Sequence, residues 1–81
     1  MTELEVAFFE LLEPEAPAVA AMGETALRCI ASTLAATARD AVCGVIPLSD
    51  CDAEMRRVLR GSGYPRELAK GAARRMVEYV A

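Results

Sequence analysis

The chain contains no histidine and no tryptophan, and only two tyrosines and two phenylalanines. Without histidine the usual general base and the commonest metal ligand are missing. Asparagine and glutamine are absent too, so the side chains that read adenine edges in DNA are not available. No glycine-rich phosphate loop occurs, because Gly61-Ser62-Gly63 lacks the further glycine and the Lys-Ser/Thr pair. Glu10 with Glu13 and Asp50 with Asp52 are the nearest approach to paired carboxylates, and helix capping and solvation account for both. No nucleophile has a visible base. We therefore expect no enzyme: no catalytic residue, no cofactor and no metal site.

Long apolar runs are missing as well. The longest stretch without a charge runs from Cys29 to Ala38, far short of the roughly 20 apolar residues of a spanning helix. Glu3 and Glu5 precede any base, the first being Arg28, which is unlike the basic start of a secretory signal. The expected location is the bacterial cytoplasm or a virion, with no membrane partner. Cys29, Cys43 and Cys51 are odd in number and widely spaced, which suits neither a disulfide framework nor a zinc site. They read as buried or bystander thiols.

What the chain does have is alanine: 16 of its 81 residues, within a hydrophobic content of 54%. That content excludes a disordered tail, and the length allows a single domain spanning residues 1–81. A core built largely from alanine is thin for a chain of this size. Support from self-association or a protein partner is therefore expected.

The helical period runs throughout. Thr2-Glu3-Leu4-Glu5 matches the capping box, and Leu4, Phe8, Leu11 and Leu12 follow on one face, widened by Val6 and Phe9. Pro14 closes this first helix. A second begins near Ala16 or Pro17, carries Val19, Met22, Ala26, Ile30 and Leu34, and is expected to continue through Gly23 with a possible kink. Gly44 suits the C′ position of its end. Ala31, Ser32, Ala35 and Ala38 form a small-residue surface suited either to interior packing or to a dimer seam. Ser49 is the expected N-cap of a third helix, which buries Met55, Val58 and Leu59 and turns Arg56, Arg57 and Arg60 outward or to one side. After the Gly61–Pro65 turn, Pro65 fits the first position of a last helix. That helix buries Leu68, Ala69, Ala72, Ala73, Met76 and Val80. The expected fold is all-α: a small bundle of three to four helices with a C-terminal helix-turn-helix-like hairpin.

Charge is asymmetric. The net charge is −3, but residues 1–51 hold eight acids and two bases, whereas residues 52–81 hold seven bases and four acids. Such a split can mark a binding surface, head-to-tail association or simply two solvated faces. The hairpin has the outline of a DNA-reading unit, but Glu67 stands at the entry of its second helix, where it would repel phosphate.

The segment Val58-Leu59-Arg60-Gly61-Ser62-Gly63-Tyr64-Pro65-Arg66-Glu67-Leu68-Ala69-Lys70-Gly71-Ala72-Ala73 resembles a helical-hairpin motif of tailed-phage head-morphogenesis proteins, including C-terminal segments of prohead proteases. Leu59, Arg60, Gly63, Tyr64, Arg66, Ala69, Lys70 and Ala72 stand at matching places. Pro65 replaces the usual serine or threonine, and Glu67-Leu68 departs from the usual pair. No protease residue is carried over, since a Ser-His site needs a histidine. The resemblance implies a phage or prophage accessory protein acting by protein–protein contact, foremost as a virion-head assembly or structural component. A phage-encoded inhibitor of a host defence or regulatory protein is the first alternative, and a small helix-turn-helix DNA-binding regulator the second. The residues expected to meet a partner are Phe8 or Phe9 as apolar anchor, with Arg66, Lys70 and Arg74 as a charged rim.

Overall fold

The first helix begins where the capping box places it. Thr2 Oγ1 accepts the Glu5 backbone N–H at 3.2 Å and donates to Glu5 Oε1 at 3.3 Å, satisfying one of the unpaired donors of the first turn. The computed structural model describes residues 2–12 and 22–81. Within them the helices are α1 (Glu3–Leu12), α2 (Gly23–Val42), α3 (Leu48–Gly61) and α4 (Arg66–Val80), and no strand occurs among the described residues. The architecture is the expected all-α bundle, with four helices.

Entry into α2 differs from the expected continuity. Gly23 has φ +78°, which a right-handed helix cannot continue through, so the chain turns into α2 at this residue. The proposed start at Ala16 or Pro17, and Val19, lie outside the described residues. Within α2 the Thr33 and Thr37 hydroxyls donate to the carbonyls of Cys29 and Thr33, at 3.1 and 3.2 Å. Bonds to the preceding turn let these poor helix formers sit mid-helix.

Helices α2 and α3 end alike. Val45 N–H donates to the Asp40 carbonyl at 2.8 Å and Gly44 N–H to Ala41 at 3.2 Å. Tyr64 N–H donates to the Leu59 carbonyl at 3.0 Å and Gly63 N–H to Arg60 at 3.1 Å. Both are Schellman motifs, whose C′ residue takes positive φ, and Gly63 has φ +102°. Leu59 and Tyr64, joined by the longer of the two loops of hydrogen bonding, are both buried.

The starts of α3 and α4 differ from the expectation, and each is capped by a proline. Pro47 (φ −62°, ψ 144°) and Pro65 (φ −59°, ψ 150°) are the N-caps themselves. Ser49 is therefore inside α3, and Arg66 rather than Pro65 opens α4. The extended ψ of each proline keeps it outside the helix, while its carbonyl starts the ladder. Pro47 accepts from Asp50 at 2.9 Å, and Pro65 accepts from Ala69 at 2.9 Å.

The core draws on every helix: Phe8 and Leu12, Leu27 and Leu34, Met55 and Leu59, then Met76, with Tyr64 from the turn. Among the described residues sixteen are buried in it, and six of these are alanine: Ala31, Ala35, Ala38, Ala69, Ala72 and Ala73. Side chains this small let helix axes come close, and the shortest extent of the molecule is only 18 Å, about two helix layers. Of the small-residue surface, Ala31, Ala35 and Ala38 are thus interior packing of one chain, whereas Ser32 is exposed.

Candidate partner-binding groove

Arg66, Lys70 and Arg74 recur every four residues, so they occupy one flank of α4. The Gly61–Pro65 turn folds α4 back against α3 and sets this flank opposite Arg56, Arg57 and Arg60. Between the walls lies an open hollow of about 610 Å³, lined by those three arginines, Arg66, Glu67 and Lys70, with Ala53 and Ala69. It is open because the two alanines carry no bulk to fill it. Past Arg56 and Lys70 it runs into a second hollow of about 320 Å³, which adds Asp52, Arg74, Val77 and Glu78. Six cations and three carboxylates line the pair.

The walls differ in how their charges are engaged. On α3, Arg56 pairs with Asp52 at 2.8 Å, Arg57 pairs with Glu54, and Arg60 Nη1 donates to the Tyr64 carbonyl at 3.0 Å. The two ion pairs, partly exposed, contribute about 0–1 kcal/mol each, so a competing anion displaces them at little cost. On α4, Arg66, Lys70 and Arg74 make no ion pair among the described residues. The ion pairs between described residues all join side chains three or four apart in one helix.

The structure brings together the three cations expected at a contact but separates them from the phenylalanines. Phe8 is fully buried and meets Tyr79 edge-on, with centroids 6.1 Å apart. It belongs to the chain's own core and is not a surface anchor. Its inward position follows from the stripe it shares with Leu12, which is also fully buried. Phe9 is half-buried, and the Arg28 guanidinium stands 5.9 Å from its ring centroid. Tyr79 is nine residues beyond Lys70, half a turn round the helix. Hence α1 lies on the side of α4 away from the groove. Sequence reasoning missed the α3 wall, although the four-residue spacing of Arg56 and Arg60 beside a short turn was a usable signal.

Other polar chemistry is sparse. Cys29 and Cys43 are exposed and Cys51 is buried. Burial, and then the Asp52 carboxylate, push the Cys51 thiol above its ordinary value. Among the described residues no group of three His, Cys, Asp or Glu could hold a metal ion, and no helix is long and apolar enough to cross a membrane. No family model, curated protein or solved structure matches the chain.

Proposed function

We propose that the chain is a small non-enzymatic accessory protein of a tailed phage or prophage, that it acts by protein–protein contact in virion-head assembly, and that the α3–α4 groove holds its partner. The observation that carries this reading is an open basic groove with one wall of unpaired cations, built on the segment that resembles head-morphogenesis proteins. The residues of that resemblance divide by task. Leu59, Gly63, Tyr64, Ala69 and Ala72 build the turn and its core, whereas Arg60, Arg66 and Lys70 line the groove.

The signs along the groove favour a protein over a nucleic acid. Asp52, Glu67 and Glu78 interrupt the cations. A continuous row of phosphates would meet each carboxylate as a repulsion, and phosphate binding gains most from an unbroken run of bases. A protein surface with an acidic bias can match both signs, and such matching gives specificity.

The test is cosedimentation with phage heads, in nuclease-treated extracts of the cells that encode the chain. The intact chain is expected in the particle fraction and Arg66→Ala/Lys70→Ala in the soluble fraction. A chain that never enters the particle fraction refutes the reading, and one lost from it on nuclease treatment transfers the groove to nucleic acid.

A further inference from the structure

The geometry points to a second copy of this chain as an occupant of the groove, docked through the outer ridge of its α1. This inference rests on the reading of the groove as a protein-binding surface, and it names the partner.

The ridge is defined by spacing. Glu3, Val6 and Glu10 follow at three and four residues, fall on one narrow face of α1, and are all exposed. Phe8 and Leu12 are buried on the opposite face of that helix. The ridge thus presents two carboxylates about 10 Å apart, at a rise of 1.5 Å per residue, with one apolar side chain between them. Val6 is among the few large apolar side chains left exposed, at 41%.

The groove offers the complement. Arg66 and Arg74 lie about 12 Å apart along α4 by the same rise, with Lys70 between them, and Ala53, Ala69 and Val77 leave room for an apolar contact. Opposite charges at matching intervals on two surfaces fix register and give specificity. The chain cannot satisfy its own groove this way. Its α1 is held against α2 and against the flank of α4 that bears Tyr79, half a turn from Lys70. The ridge and the groove of one molecule therefore face different ways. Pairing ridge to groove between molecules is heterologous, and repeated it yields a ring or an open filament.

The experiment is analytical ultracentrifugation of the full chain at matched concentrations, at about 10 mM salt, where charges act over ~30 Å, and about 1 M, where they act over ~3 Å. Glu3→Lys/Glu10→Lys removes the ridge and Arg66→Glu/Lys70→Glu removes the groove. All four positions are exposed, and circular dichroism verifies that both variants fold. The intact chain is expected to associate at low salt and to dissociate at high salt. Each variant alone is expected to lose association, and an equimolar mixture is expected to regain it. A chain that is monomeric at low salt overturns the inference, as do variants that associate alone and a mixture that stays monomeric. Groove-dependent recovery with phage heads by a chain that never self-associates would leave the assembly reading intact while removing this one. Self-association without head binding would do the reverse.

Discussion

Gly63 holds the turn that fixes the groove, and replacing it by alanine separates backbone strain from crowding. At φ +102° an L residue brings its Cβ against the neighbouring carbonyl, which costs about 1–2 kcal/mol. Crowding adds little: a Cβ at this position would stand 3.5 Å from the Met22 Cε, the far end of a flexible side chain. Gly61 is the internal control. It is the last residue of α3, its φ is not positive, and nothing lies within 4 Å of an added Cβ. Alanine there is expected to gain about 0.5–1 kcal/mol, because glycine loses more backbone freedom in a helix. The same methyl group, added two residues apart, thus acts with opposite sign. In a domain of this size 1 kcal/mol moves Tm by about 4–8 °C. Gly63→Ala is then expected to melt about 4–16 °C below the intact chain and Gly61→Ala about 2–8 °C above it. Far-UV circular dichroism against temperature, run on the three proteins in parallel, reads both. A Gly63→Ala protein that melts with the intact chain or above it would refute the positive-φ turn.

The two phenylalanines should diverge under urea. Phe8→Ala empties a fully buried site and is expected to cost about 3–5 kcal/mol, a large share of the total for a chain this short. Phe9→Ala is expected to cost well under half of that, its contact with Arg28 being worth about 0.5–1 kcal/mol, and equal losses would contradict the burial assigned to each. A thiol reagent at neutral pH should titrate Cys29 and Cys43 rapidly and Cys51 only on unfolding; three fast thiols in the folded chain would refute the burial of Cys51. Because folding raises the Cys51 thiol above its ordinary value of 9.0, its contribution to stability is full below pH 9 and declines as pH rises through the folded value. Cys51→Ala is expected to flatten the fall of Tm with alkaline pH, and an unchanged profile would show that the thiol does not titrate differently in the folded state.

Local chemistry was the part of the fold legible in the sequence. The Thr2 cap, the Gly44 terminus and the apolar stripe of Phe8 and Leu12 depend on residues a few positions apart, and short-range geometry determines them. The break at Gly23 is not legible locally, because glycine suits both a helical kink and a positive-φ entry, and only packing decides. Ser49 reads as the cap of α3 and Pro65 as the first residue of α4, yet Pro47 and Pro65 hold the N-cap positions, since a proline fits the N-cap as readily as the first helical turn. The groove was half legible. Arg66, Lys70 and Arg74 read as one charged flank, but which flank of α3 would face them depends on the turn. Arg56, Arg57 and Arg60 therefore read only as residues facing outward or to one side. Tyr64 read as part of the turn, and its burial under the hairpin follows from the hydrogen bond that ties it to Leu59.

The rigidity of that hairpin bears on how tightly anything is held there. Backbone hydrogen bonds at the turn and alanines between the helices fix the distance between the walls, so the walls cannot close around a guest. Adjustment falls to the side chains of Arg66, Lys70 and Arg74, which no ion pair holds before binding. Each one immobilised costs about 0.5–1.5 kcal/mol of entropy, so a contact that engages all three gives up about 1.5–4.5 kcal/mol of its gross attraction. A surface of this kind favours brief occupancy by any partner it meets.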